Sequence, residues 1–231
     1  MKILAIDTAT ENCSAALLID DQLSTREARL QRGAAEAILP MVEELLGAAA
    51  LGLGALDAIA FGRGPGGFTG VRLAASVTQG LAYAAGVAVV PVSNLRALAQ
   101  RALDGGAGTR VLVCADARMA EVYWGCFTGD AAGAAQAAGE EHLGTPEVVE
   151  LPPDWHNAAG VWGAGSGFAA YPQLTARLSA VLTGIRPDLL PRAAEIARLA
   201  VAEVRAGRLL PPDKAVPVYL REEVARPAAR H

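Results

Sequence analysis

Two short runs carry residue types suited to holding phosphate. Asp7-Thr8-Ala9-Thr10 sets a carboxylate and two hydroxyls in one turn. In a nucleotide cleft such a turn offers hydroxyls and backbone N–H groups to phosphate oxygens while the carboxylate approaches the metal. The same residue types also serve as plain turn formers that satisfy turn amides. Gly64-Pro65-Gly66-Gly67-Phe68-Thr69-Gly70-Val71-Arg72 invites comparison with a P-loop, but Val71 stands where the lysine should be and Arg72 where Ser or Thr should follow. A helix N-terminus after this loop could still meet an anion through free N–H groups. Gly70, Ala74, Ala75 and Thr78 form a small-residue face on adjacent turns, which favours close helix packing or an interface. His142, His156 and His231 are scattered without an H-x-x-x-H pair, so no metal site is expected. Gly165-Ser166-Gly167 reads as a glycine turn, and no Ser-His-Asp or Cys-His set can be assigned.

These runs need elements to position them. Lys2 to Ile6 and Cys13 to Ile19 read as strands of a hairpin with Asp7 to Asn12 as its turn, and Asp20-Asp21 supplies the next turn. From Gly33 to about Ala49, Ile38, Val42, Leu45 and Leu46 recur at helical spacing with Glu36, Glu43 and Glu44 off the stripe. A strand over Leu56 to Phe61 leads through the glycine loop into a helix from Phe68 to about Ala85. A strand over Val87 to Val92 follows, and Ser93 can cap a helix over Asn94 to Leu103. After Asp104-Gly105-Gly106-Ala107-Gly108 the opening pattern returns: Leu112 to Asp116 repeats Ile3 to Asp7, and Glu121 to Phe127 repeats the second strand. The repeat suggests two related lobes, 1–105 and a smaller one over 106–231 with the C-terminal helix and tail; the alternative at this point is chance similarity between two hairpins. The second turn, Asp116-Ala117-Arg118-Met119, has no hydroxyl or glycine to cradle phosphate, which leaves the cleft half-equipped. Beyond it, Asp130 to Gly139 reads as a loop, Glu147 to Leu151 as a strand, Gly160 to Gly167 as a strand followed by a glycine turn, and Arg192 to Ala206 as a helix with Ile196, Leu199, Ala200 and Val204 on one side.

The chain has 231 residues with 52% hydrophobic and 19% charged residues, which excludes a disordered chain. Mean hydropathy is +0.29. Aromatics are only 5%, so the core should be small-residue-rich and layered. A net charge of −4 argues against a protein that grips nucleic acid alone. Arg198, Arg205 and Arg208, with Arg221, Arg226 and Arg230 in the tail, could touch phosphate but read more simply as a solvated face. Cys13, Cys114 and Cys126 share no C-x-x-C spacing and look like buried, reduced thiols of a cytosolic protein. No positively charged lead precedes a long apolar region, so a signal peptide is not expected. The uncharged part of Leu73 to Leu95 reads as a helix ending near Gly86 and then a strand, rather than as a membrane span.

Taken with Ile38-Leu39-Pro40 and the tail motif Pro217-Val218-Tyr219-Leu220-Arg221, these runs resemble the bacterial TsaB (YeaZ) family from end to end, most specifically at the glycine loop with its Phe-Thr-Gly-Val-Arg. The resemblance implies an α/β, actin-like ATPase fold of two RNase H-like lobes, the second reduced. It implies a cytoplasmic, non-catalytic subunit in tRNA threonylcarbamoyladenosine synthesis, which organises the metal-bearing paralogue TsaD while TsaD transfers threonylcarbamoyl to the adenosine amine. TsaE, a small ATPase, joins the complex, and tRNA is met only through it. TsaD carries its metal histidines as H-x-x-x-H on the first-lobe helix, whereas Gly33 to Pro40 here contains no histidine. The family pairs through its first-lobe helices, with itself or with TsaD. Carried onto this chain, that assigns the interface to Ile38, Val42, Leu45 and Leu46 on one helix and Gly70, Val71, Ala74, Ala75 and Thr78 on the other. Asp7, Thr8 and Thr10 would form a degenerate phosphate turn. No cofactor is then required, with weak ATP or ADP binding as the residual expectation. The competing reading is an ATP-binding phosphotransferase of the same superfamily, which needs a complete second phosphate turn.

Overall fold

The computed structural model describes residues 1–155 and 160–221. Its first sheet joins β1 (Lys2–Asp7), β2 (Asn12–Ile19), β3 (Gln22–Arg29), β4 (Ala58–Gly62) and β5 (Ala88–Val92) in the order β3-β2-β1-β4-β5. The first three strands are antiparallel, and β4 and β5 run parallel to β1. Helices α1 (Ala34–Ala48) and α2 (Phe68–Ala85) make the crossovers, and α3 (Asn94–Asp104) leaves the sheet. The second sheet joins β6 (Arg110–Arg118), β7 (Glu121–Gly129), β8 (Ala135–Ala137), β9 (His142–Gly144), β10 (Val161–Ala164) and β11 (Leu182–Arg186). Its order is β11-β10-β6-β7-β8, with β9 also on β7. From the β8 edge it repeats the first sheet strand for strand, including which pairs are parallel. The short sequence repeat is thus a duplicated RNase H-like unit, and the two units make the actin-like fold.

Strand alternation sends successive side chains to opposite faces, and each sheet buries both. Leu4, Ile6, Leu17 and Phe61 pack under α1 and α2. Ile3, Ala5, Ala16 and Leu18 face the other way, onto α6 (Ala193–Arg205). In the second sheet Val111 and Val113 meet α3, while Leu112 and Cys114 meet the side of α4 (Gly167–Ala170) and α5 (Pro172–Leu178). The reduction of the second lobe lies in these two short helices.

The strands divide near residue 105, but the helices do not. The C-terminal helix, expected with the second lobe, covers the first sheet, and α3 covers the second. The cause is steric. Ala193, Ala197 and Ala200 let the α6 backbone come close to Ala5, Ala16, Ala58 and Ala60, covering an apolar face that α1 and α2 cannot reach. Two other expectations are corrected, and one strand had no expectation. Glu147 to Leu151 is no strand: Pro146–Val148 forms a 3-10 turn, and Pro146, Pro152 and Pro153 deny a ladder the N–H groups it needs. The loop over Asp130 to Gly139 contains β8. The polar Gln22–Arg29 forms β3, an edge strand whose exposed residues mask the pattern. Elements α5 and β11 had no clear sequence signal. The Leu73 to Leu95 stretch divides as expected at Gly86, which caps α2 with φ 66°. No helix among the described residues is long and apolar enough to cross a membrane.

Candidate functional site

At the first turn, Asp7 ends β1 and is fully buried. Its Oδ1 accepts hydrogen bonds from Asn94 Nδ2 at 2.7 Å and from the Ala9 N–H at 3.2 Å. Its Oδ2 is buried without a hydrogen-bond partner among the described residues. Burial pushes the Asp7 carboxyl up to about 6, against the pull of Asn94 and the turn amides, with Glu195 adding a smaller push. The two hydroxyls expected to face phosphate are engaged within the chain. Thr8 Oγ1 donates to the Gly70 carbonyl at 2.7 Å, and Thr10 Oγ1 accepts from the Asn12 N–H at 3.2 Å. The Gly67 N–H donates to the Ala9 carbonyl at 2.8 Å. The glycine loop therefore sits directly on the turn. A Cβ added at Gly70 would lie 2.0 Å from the Thr8 carbonyl oxygen, and one at Gly66 would lie 2.8 Å from that of Ala9. These glycines serve close backbone approach to the neighbouring turn.

The second turn occupies the matching place in the second lobe. Asp116 Oδ1 accepts from the Arg118 N–H at 2.8 Å and from the Tyr171 hydroxyl at 3.0 Å, while the Asp116 N–H donates to Ser166 Oγ at 3.0 Å. Ser166, in the glycine turn, thus braces a backbone. Arg118, Met119 and Ala120 follow one another in the left-handed region, with φ of 61°, 56° and 60°, although none is glycine. Among the described residues, no group of three His, Cys, Asp or Glu side chains could hold a metal ion. His156, His231, Arg226 and Arg230 lie outside the described residues.

The residues assigned to the interface pack within this chain. Ile38, Val42, Leu45 and Leu46 on α1, with Val71, Ala74, Ala75 and Thr78 on α2, are all buried within this chain, and Gly70 is half-buried against Thr8. An amphipathic stripe must first cover its own sheet, and these stripes do. The outward faces differ in composition: Leu39 on α1 is 42% exposed, and Phe68 and Tyr83 on α2 are 49% and 82% exposed. Arg72 extends this face. Its guanidinium lies 3.3 Å from the Phe68 ring centroid and 5.2 Å from that of Tyr219. At the far end of α2, Tyr83, Val87, Leu209 and Leu210 line an open groove of about 470 Å³.

Several contributors were not visible in the sequence. Asn94 reads as the start of a helix, yet it holds Asp7 and its Oδ1 accepts from the Gly64 N–H at 2.7 Å. Glu141 pairs with Arg63 at 3.3 Å and accepts from the Ser93 hydroxyl, joining the second lobe to two first-lobe loops. Three of the late arginines are ion-paired: Arg198 with Asp104, Arg208 with Glu203 and Arg221 with Glu121. The three cysteines are free and buried, and burial raises each thiol, Cys13 to about 11 and Cys126 to about 12.

Comparison with known proteins agrees along nearly the whole chain. The family model for TsaD: tRNA N6-adenosine threonylcarbamoyltransferase matches residues 28–227. The tRNA threonylcarbamoyladenosine biosynthesis protein TsaB of Escherichia coli (strain K12) is 38% identical over 226 residues, covering 97% of this chain and 96% of its own. The protein of the same name from Haemophilus influenzae is 39% identical over 236 residues, covering 97% of this chain and 95% of its own. Among solved structures, YeaZ from Pseudomonas aeruginosa aligns with a TM-score of 0.85 at 40% identity, over 95% of this chain and 99% of that one.

Proposed function

The chain belongs to the TsaB (YeaZ) family, and from that premise we propose that it works in tRNA threonylcarbamoyladenosine biosynthesis as a non-catalytic subunit. On this reading it binds and organises a TsaD-type paralogue in the cytoplasm, pairs with itself when that partner is absent, and joins a TsaE-type ATPase in the assembled complex. Threonylcarbamoyl transfer is then the paralogue's work, and tRNA meets this chain only within the complex. The observation that carries the proposal is the outward face of α1 and α2. Leu39, Phe68, Arg72 and Tyr83 are exposed there while the inner stripes are consumed by the core. Aromatic and arginine side chains of this kind make interface anchors.

The state of the first turn supports the same reading. Thr8 and Thr10 spend their hydroxyls on Gly70 and Asn12, and the glycine loop fills the space against Ala9. No cofactor is required of this chain, and ATP or ADP binds weakly at most. A net charge of −4 and ion-paired arginines favour reaching tRNA through a partner.

The test is capture of the TsaD-type paralogue by the full chain and by Leu39→Arg and Tyr83→Ala, alongside threonylcarbamoyl transfer to tRNA. Each substitution should weaken capture by about tenfold to a hundredfold, as loss of an interface anchor does. Circular dichroism and melting should remain those of the parent. Undiminished capture by both variants would overturn the interface. Turnover of ATP by the purified chain alone would favour the phosphotransferase. Ala75→Arg is no test, because Ala75 lies in the core and the arginine would disrupt the fold before any partner was met.

A further inference from the structure

The tail motif Pro217-Val218-Tyr219-Leu220-Arg221 crosses from one lobe to the other. Ala215 is buried in the core beneath α1 and α2 and anchors the segment there. The Val218 N–H donates to the Arg63 carbonyl at 2.8 Å, and its own carbonyl oxygen lies 3.0 Å from where a Cβ on Gly64 would stand. Tyr219 accepts through its hydroxyl from Arg72 Nε at 2.8 Å. Arg221 then reaches the second lobe. It donates to the Ala117 carbonyl at 3.1 Å and to Met119 Sδ at 3.4 Å. It also forms an ion pair with Glu121 at 2.7 Å. Three residues on from Val218, even a fully extended chain reaches only about 10 Å, so the segment has little slack.

Each end reaches a turn region of a different lobe. At one end are the glycine loop and the first turn of α2, where Arg72 is clasped between Phe68 and Tyr219. At the other is the turn with three consecutive left-handed residues. We propose that Val216–Arg221 is a strap that couples the two lobes, so that the glycine loop with the start of α2 and the second-lobe turn open and close together. The coupling concerns this chain alone and stands whether or not a paralogue binds. Arg63–Glu141 and Ser93–Glu141 cross the same gap and stay intact in every variant used below.

Hydrogen exchange read by mass spectrometry on the full chain tests the strap from both ends. Arg221→Ala touches nothing in residues 62–68, yet exchange there should rise about tenfold as local opening becomes easier. Tyr219→Ala touches nothing in residues 116–121, yet exchange there should rise by a similar factor. Should Tyr219→Ala prove too unstable to compare, Tyr219→Phe keeps the ring, removes the hydroxyl and gives the same cross-lobe readout. Exchange that rises only at the substituted end, or at neither end, overturns the strap. A rise at the far end with an unchanged melting temperature supports it.

Discussion

The two hairpin turns occupy the same place in two copies of one topology and have opposite characters. The first is buried at Asp7, Thr8 and Ala9 and half-buried at Thr10, its hydroxyls engaged and its backbone met by glycine. The second, at Asp116 to Ala120, is open to solvent, with the Arg118 side chain 87% exposed and three residues in a conformation that suits glycine. Duplication preserved strand order and pairing while the chemistry at the turns diverged. In the first lobe the turn packs against the glycine loop; in the second, a surface turn is braced by Asp116, Tyr171 and Arg221. Neither turn keeps both hydroxyls and backbone groups free for a ligand.

Substitutions at the two turns can break or sharpen this contrast. Gly70→Ala should have the largest effect, since its Cβ would meet backbone that cannot swing aside. A loss of about 3 kcal/mol or more in urea denaturation is expected. Stability close to the parent would mean that the glycine loop does not sit on the first turn. Asp7→Asn comes next and depends on pH. The folded carboxyl titrates at about 6, above its ordinary value of 3.8, so Asp7's contribution is complete below about pH 4 and is lost as pH rises through 6. The stability of the parent relative to Asp7→Asn should therefore fall by roughly 2–3 kcal/mol between pH 4 and 7. A difference that stays flat across that range would show that Asp7 is not held as a buried acid. Met119→Gly should have the smallest effect and the opposite sign. Relief of its left-handed backbone outweighs the added chain entropy, for a gain of about 0.5 kcal/mol by thermal melting. A loss of similar size would mean that Met119 is held by its contact with Arg221 rather than strained by it.

A second contrast separates the inner from the outer faces of α1 and α2. The inner stripes are the most regular feature of the first lobe's sequence, and for that reason they belong to the core. The residues left over, Leu39, Phe68 and Tyr83, have no periodicity to mark them, and their significance appears only once the sheet has claimed the inner faces. Helical periodicity by itself marks the faces that the core claims.

Local pattern was enough for the strands β1, β2, β4 and β5, the helices α1 to α3 with the Ser93 cap, and the repeat at β6 and β7, because alternation, helical spacing and caps are properties of adjacent residues. The motif set, in order along the chain, also carried the family. The exchange of α3 and α6 between sheets, the burial of Asp7 against Asn94 and the crossing of the tail to Ala117 bring together residues far apart in the chain. Whether Asp7-Thr8-Ala9-Thr10 faced a ligand or the glycine loop was likewise a tertiary matter. The turn's residue types suit either partner, and only the approach of Gly66, Gly67 and Gly70 decides which one occupies the space.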